Sequence, residues 1–271
     1  MRYFPYSATK LPKSQDFVAI VLLAIWTSGD LYPMKEDFTW LEFFAGTALC
    51  TAHVRARGNP GCRFDIQYHE ERAHLGNSDF MDMNSVSGFV LGIIYLLRCR
   101  ASGFVAWFGI KCSSWSSMNR GTSKRCPCSS VGDPTKPSVI EANMMLERTT
   151  LLLLLATALQ GCWVVEQPGS STLEYYPCFR YVLCKLAEVH GSMAVSRVSW
   201  WMSAYGARSA KRQFAYANSP EIRKIDRGTH QSRGQCLGKR VSTTYRYINS
   251  AGKKCYNGTK DLKGTEILII I

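Results

Sequence analysis

Cys112 follows the apolar run at residues 104–110 (FVAWFGI) and stands next to Lys111. A cysteine just past a strand is where a nucleophile is held, and an adjacent cation favours the reactive thiolate. Glu166 closes a second apolar run, residues 162–166 (CWVVE). A carboxyl group there is a candidate acid, near Cys112 if the two runs are neighbouring strands. Residues 39–44 (TWLEFF) lead into Phe44-Ala45-Gly46-Thr47. Glycine at a strand-to-helix turn lets a ligand approach the backbone, and the helix N-terminus adds a favourable field. Residues 62–66 (CRFDI) carry Asp65, at a place where a carboxylate accepts hydrogen bonds from ribose hydroxyls. Asp79, before Phe80, is a candidate partner for an adenine amino group. Each feature has a plain structural reading beside the chemical one: a tight turn, a surface Asp, an inert Cys, a solvated strand edge. The glycine-rich GxGxxG of dinucleotide sites is missing, because two of its glycines are not there.

The elements needed to position these residues alternate. A strand at 39–44 is followed by a helix at 48–57, then a strand at 62–66 and a weak one near Phe80. Asn84 is the expected cap of a helix reaching Arg100. A strand at 104–110, a long loop at 112–138, a helix at 139–160 and a strand at 162–166 come next. Residues 172–189 read as loop and then helix. Strands apolar on both faces, alternating with helices, imply a parallel sheet covered by helices. Ligands of such sheets bind beyond the carboxyl ends of the strands. The strands ending at Phe44, Asp65, Ile110 and Glu166 are therefore expected as parallel neighbours.

The chain has 271 residues, 46% hydrophobic and 20% charged, which excludes a wholly disordered, collagenous or coiled-coil protein. Its net charge is +13. Residues 1–196 hold 18 basic and 16 acidic side chains (+2), whereas 197–271 hold 15 and 4 (+11). This division reads as a near-neutral body and a basic extension, suited either to solvation or to a polyanionic partner. The 11 cysteines are odd in number and form no CxxC pair, which points to a reducing, intracellular setting, nuclear or cytoplasmic. Cys126 and Cys128, with Cys112 upstream, offer thiolates, but the spacing matches no common zinc knuckle and no metal is expected. The ten-residue apolar run at 17–26 is too short for a membrane span and is expected to be a buried element rather than a signal peptide.

FFAGTALCTAHVRARG, FDI, GIKCSSWS and VVEQPGSS resemble the cytosine-5 DNA methyltransferase superfamily, over roughly residues 39–220. They resemble more closely a divergent branch known mainly from protist and viral open reading frames. In that branch Gly-x-Pro-Cys-Ser-Ser-Trp, a Thr-Ser-Lys-Arg loop and Glu-Gln-Pro-Gly-Ser-Ser recur. Residues 202–207, with Lys211 and Asn218, also match it. The resemblance implies a Rossmann-like methyltransferase fold of the α/β class, a mostly parallel sheet with helices on both faces, plus a basic C-terminal extension. It implies S-adenosylmethionine as cofactor, held by Phe44, Ala45, Gly46 and Thr47, with Asp65 on the ribose and Asp79 and Phe80 on the adenine side. It implies Cys112 as nucleophile and Glu166 as the acid that grips a flipped-out cytosine. Lys111 stands where the family has proline, and Arg208, Lys211 and Arg212 stand in for its paired arginines.

The domain reading is an N-terminal extension (1–38), a methyltransferase-like domain (39–220) and a basic tail (221–271). Within the tail, residues 243–248 and 253–256 are expected to form a hairpin around a turn at 249–252. The partner expected is nucleic acid, DNA in preference to RNA, and no membrane. Its contacts are expected from Lys124, Arg125, Arg208, Lys211, Arg212, Lys239, Arg240, Tyr245, Arg246, Lys253 and Lys254. Lys111 and the Lys124-Arg125 loop are also expected to lower the Cys112 pKa. Two rival readings stand beside a DNA methyltransferase. One is an inactive nucleic-acid-binding relic of the fold, and the other a methyltransferase acting on RNA or a small molecule.

Overall fold

Three short apolar strands end level with one another, and a fourth beside them runs three residues further. The computed structural model describes residues 38–68, 80–100, 103–205, 207, 211–228, 242 and 244–258. The strands are β1 (Trp40–Phe43), β2 (Gly61–Phe64), β3 (Val105–Phe108) and β4 (Cys162–Pro168). They lie in the order β2-β1-β3-β4, all parallel, with Trp40 level with Gly61 and Val105, and Val105 level with Cys162. β5 (Ser196–Trp201) and β6 (Arg212–Ala217) extend the sheet past β4. β6 lies between β4 and β5 and is antiparallel to both. The protein thus has the Rossmann-like α/β architecture expected.

Helices cover both faces. On one face α2 (Val86–Leu97), α4 (Pro137–Ala158) and α5 (Pro177–His190) bury Phe89, Ile93, Leu152, Leu153, Phe179 and Val182 against Phe43, Phe108 and Val165. The Phe43 and Phe108 rings stack at 4.6 Å. The opposite face is covered by α1 (Leu49–Ala56), through Cys50 and Val54, and by Ile222 and Ile225. Burial on this scale is the main favourable term in folding. Arg148 of α4 donates to the carbonyls of Met83 (2.8 Å) and Ser85 (2.6 Å), which ties α4 to the start of α2. Asn218 accepts from Trp163 N (2.8 Å) and donates to Gly161 O (2.9 Å), joining the end of β6 to the start of β4. No helix among the described residues is long and apolar enough to cross a membrane.

Several sequence expectations need correction. Phe80 lies in a turn and not in a strand. Ser85, not Asn84, caps α2, because Ser85 has the extended backbone of a cap and its hydroxyl accepts from Gly88 N at 2.9 Å. The charge boundary at residue 197 is not a structural one, since β5 and β6 are integral strands of the sheet. The long loop contains a short helix, α3 (Arg120–Ser123). The tail hairpin forms as β7 (Thr244–Ile248) and β8 (Lys254–Gly258), antiparallel, with Tyr247 opposite Cys255. The apolar run at 17–26 and the C-terminal ILIII lie outside the described residues.

Arg125 is the clearest correction. It is 1% exposed, so it cannot reach a nucleic acid. Its guanidinium lies 3.5 Å from the centre of the Trp115 ring and donates to Ser114 Oγ (2.9 Å), Asn143 Oδ1 (2.8 Å) and the Ser130 and Val139 carbonyls. It is the internal anchor of the loop after β3. Arg125→Ala should lower unfolding stability by about 3 kcal/mol or more, from lost charge-assisted hydrogen bonds and the cation–π contact. Urea unfolding checks this. The same variant should leave the salt dependence of polyanion binding unchanged.

Candidate active site

The carboxyl ends of β1, β3 and β4 open into a cavity of about 950 Å³, at the edge where Rossmann-like sheets hold ligands. Glu42, Gly46, Cys112, Glu166 and Lys211 line it, and Trp107 forms part of its wall. The expected cofactor loop and the expected Cys and Glu are therefore brought to one place.

The loop after β1 is strained. Phe44 (φ 59°), Gly46 (φ 51°) and Ala48 (φ 53°) all adopt left-handed backbone, and two of them carry a Cβ. Such conformations persist only where neighbours enforce them. Here the neighbours are identifiable. Asp65 Oδ2 accepts from Gly46 N at 2.9 Å, its Oδ1 accepts from Gln67 N at 2.9 Å, and the Tyr68 hydroxyl donates to Gly46 O. Asp65 is buried and does not line the cavity, so its carboxylate serves the loop. Glu42 anchors the other side. Its Oε2 accepts from Thr51 N (2.7 Å) and Thr51 Oγ1 (2.6 Å), at the start of α1. Burial pushes its carboxyl pKa up, opposed by the Thr51 hydrogen bonds.

Cys112 heads the loop after β3. Its carbonyl accepts from Trp115 N (3.0 Å) and Ser116 N (2.9 Å), which curls the chain into a turn. Gln167 holds this turn from the next strand. Fully buried, it donates from Nε2 to Ile110 O (2.6 Å) and accepts at Oε1 from Ser171 Oγ (2.9 Å). Thr172 adds bonds from N and Oγ1 to Trp115 O. These cross-strand bonds fix the turn that follows Lys111.

Burial dominates the electrostatics. It pushes the Cys112 thiol above its ordinary value; Lys211 opposes the shift and Glu166 adds to it. Glu166 is 7% exposed, and burial raises its pKa to about 7, with Lys211 pulling the other way. Its Oε1 finds no hydrogen-bond partner among the described residues. The expectation that Lys111 and the 124–125 loop would draw out the thiolate is corrected. Lys111 is exposed to screening water, Arg125 is buried elsewhere, and the cation acting on Cys112 is Lys211.

Of the other expected site residues, Phe44, Ala45, Thr47 and Arg212 line the cavity. Phe80 is half-buried and does not line it. Lys124 is exposed on its loop, and Tyr245, Arg246, Lys253 and Lys254 are exposed on the hairpin. Tyr256 and Asn257 of β8 reach the cavity rim. Asp79, Arg208, Lys239 and Arg240 lie outside the described residues. No group of three His, Cys, Asp or Glu side chains that could hold a metal occurs among the described residues. Sequence reasoning missed Glu42, Gln167, Gln213 and Trp107. The signal for Glu42 was there, as a lone carboxylate inside an apolar strand.

The pKa of Glu166 generates a stability prediction. The unfolded chain loses this proton near pH 4.5 and the folded protein near 7, so the folded state binds more protons between them. Stability must therefore fall as pH rises through that window, by on the order of 3 kcal/mol. Glu166→Gln should flatten this fall and make the free protein more stable than wild type at pH 8. Urea midpoints at pH 5 and pH 8 provide the check.

No protein-family model matches the chain, and no curated protein matches it. Among solved structures, the Entamoeba histolytica methyltransferase EhMeth is similar, with a TM-score of 0.40 and 14% identity. The match covers 69% of this chain and 54% of that one, so this chain spans about half the length of the structure it matches.

Proposed function

We propose that the protein is an S-adenosylmethionine-dependent cytosine-5 methyltransferase acting on DNA. The observation that carries this reading is the meeting of Cys112, Glu166 and Lys211 in one cavity beside the strained 44–48 loop. The residues suit the cofactor. Space around Gly46 is open, with nothing within 4 Å of where a Cβ would stand, and the buried carboxyl of Glu42 faces a cavity wide enough for a nucleoside-sized cation. Phe44, Gly46 and Glu42 would hold it, and when bound it supplies an electrophilic methyl group on a sulfonium.

The chain's own residues account for activation of the acceptor. Cys112 Sγ, as thiolate, forms a bond to C6 of the cytosine while the ring's C5–C6 π electrons shift toward N3. Glu166, whose raised pKa keeps about half of it protonated at neutral pH, delivers its proton to N3, so that C5 becomes nucleophilic. Once C5 carries the methyl group, the proton on N3 returns to the Glu166 carboxylate, solvent water takes the C5 proton, and the electron pair left behind expels Cys112 as thiolate and restores the aromatic ring. Lys211 lies within electrostatic reach of both groups and favours the ionised form of each. The high thiol pKa in the free protein supports one alternative, an inactive relic that retains binding alone.

Covalent trapping separates the two. DNA containing 5-fluorocytosine, with S-adenosylmethionine, should yield an adduct that Cys112→Ser abolishes and Cys128→Ser preserves. Protein that binds both cofactor and DNA yet gives no adduct would establish the relic.

The hairpin is assigned to the DNA backbone and unpaired bases. Tyr245, Tyr247 and Tyr256 are 43–63% exposed and interleave with Arg246, Lys253 and Lys254. Aromatic faces suit stacking and the cations suit phosphates. Replacing Arg246, Lys253 and Lys254 with Ala should reduce the slope of log affinity against log salt by about 2–3, since each lost phosphate contact releases one counterion fewer. An unchanged slope would reduce the hairpin to a solvated surface.

A further inference from the structure

Gln213 on β6 is the buried polar side chain that the mechanism leaves unused. It is 2% exposed, lines the cavity, and its Oε1 has no hydrogen-bond partner among the described residues. Leaving a buried acceptor unpaired opposes folding, and such groups are few in native proteins. The same cavity holds a second one, Glu166 Oε1.

The strand register puts the two on the same side of the sheet. Glu166 stands opposite Ala215, and Gln213 opposite Pro168, two positions along each strand. Directly opposite residues share a face, and so do residues two apart. Glu42, level with Trp107, and Trp107, level with Val164, belong to that face too. Gln213 and Glu166 therefore present adjacent polar groups to one edge of a ligand, on a wall that includes the Trp107 ring.

We propose that Gln213 is a specificity-determining residue whose Oε1 accepts a hydrogen bond from the exocyclic amino group of the target base while Glu166 meets the adjacent ring nitrogen. This rests on the cytosine reading above and adds to it the residue that reads the amino group. A ring lacking that amino group would leave Oε1 buried and unpaired, and such a mismatch is where hydrogen-bonding sites discriminate most strongly. A purely structural glutamine would instead be bonded within the fold, as Gln167 is.

The test is a double-mutant cycle between side chain and ligand. All variants carry Cys112→Ser, so that binding is read without adduct formation. Oligonucleotides containing either one cytosine or one pyrimidin-2-one, which is cytosine without its amino group, are titrated in the presence of S-adenosylmethionine. Protein with Gln213 intact should prefer cytosine by about 10-fold or more. In Gln213→Leu the preference should collapse to near unity, with cofactor affinity unchanged. Unfolding of the free Gln213→Leu variant should show stability equal to or above that of its parent. A preference retained in Gln213→Leu overturns the assignment and leaves the methyltransferase reading intact, and a loss of free-protein stability there would give Gln213 a structural role instead. A parent protein that binds cofactor and DNA but does not prefer cytosine overturns the assignment of Gln213 alone, and one that binds no cofactor overturns the methyltransferase reading with it.

Discussion

The hydrogen bond from Gln167 to the Ile110 carbonyl is the interaction on which the arrangement of this site depends. It joins the chain leaving β3 to the chain inside β4, and it is fully buried, where such a bond is both stronger and costlier to lose. Glu166 is the residue before Gln167 on the strand, and Cys112 is two residues past Ile110 on the loop. Cys112 and Glu166 therefore hang from the two ends of one clamp. Ser171 and Thr172 extend it to the Trp115 turn, and Arg125 seats Trp115 in the core from behind. Every element from β3 to α4 is thus tied into the placement of Cys112.

The sequence displayed the sheet more readily than the site. β1 to β4 announce themselves as apolar runs because both faces of a parallel strand are buried, and their parallel arrangement followed from the helices between them. β5 and β6 were harder to see. Ser196, Val198 and Trp200 are buried while Arg197 is exposed, an alternation that looks polar when averaged, and it falls where the chain turns basic. With β6 unseen, Gln213 had no context. Asp65 was assigned by its position after a strand, which says nothing of whether its oxygens face a ligand or a backbone amide; here they bind Gly46 and Gln67. Arg125 looked like a surface cation because sequence counts charge and not burial.

Burial gives this cavity a consistent electrostatic character. Glu42, Cys112 and Glu166 are each shifted toward the neutral form, and desolvation is the largest cause in all three. Groups shifted this way keep their protons to higher pH than they would in water, so the wall is readier to donate a proton than to hold a charge. The arrangement costs stability, because unsatisfied Glu166 and Gln213 oxygens and the left-handed backbone of Phe44 and Ala48 all oppose folding. The aromatic and aliphatic packing on the far face, from Phe43 and Phe108 to α2, α4 and α5, is what offsets it.

Positive charge then works at two ranges. The hairpin cations are exposed, so their field is screened within about 10 Å at ordinary salt and acts on whatever lies along the surface. Lys211 acts inside the cavity, where it lowers the pKa of both Cys112 and Glu166. A polyanion drawn to the outer cations would bring its own negative charge toward Lys211 and compete for it. Losing part of that opposing cation would push Glu166 further toward its protonated form, the form needed to give up a proton, and would raise the thiol with it. On the proposed function, substrate approach would thereby be linked to the proton inventory through one lysine. Tyr256 and Asn257 of the hairpin line the same cavity as Lys211, which places the exposed cations of β7 and β8 beside its mouth.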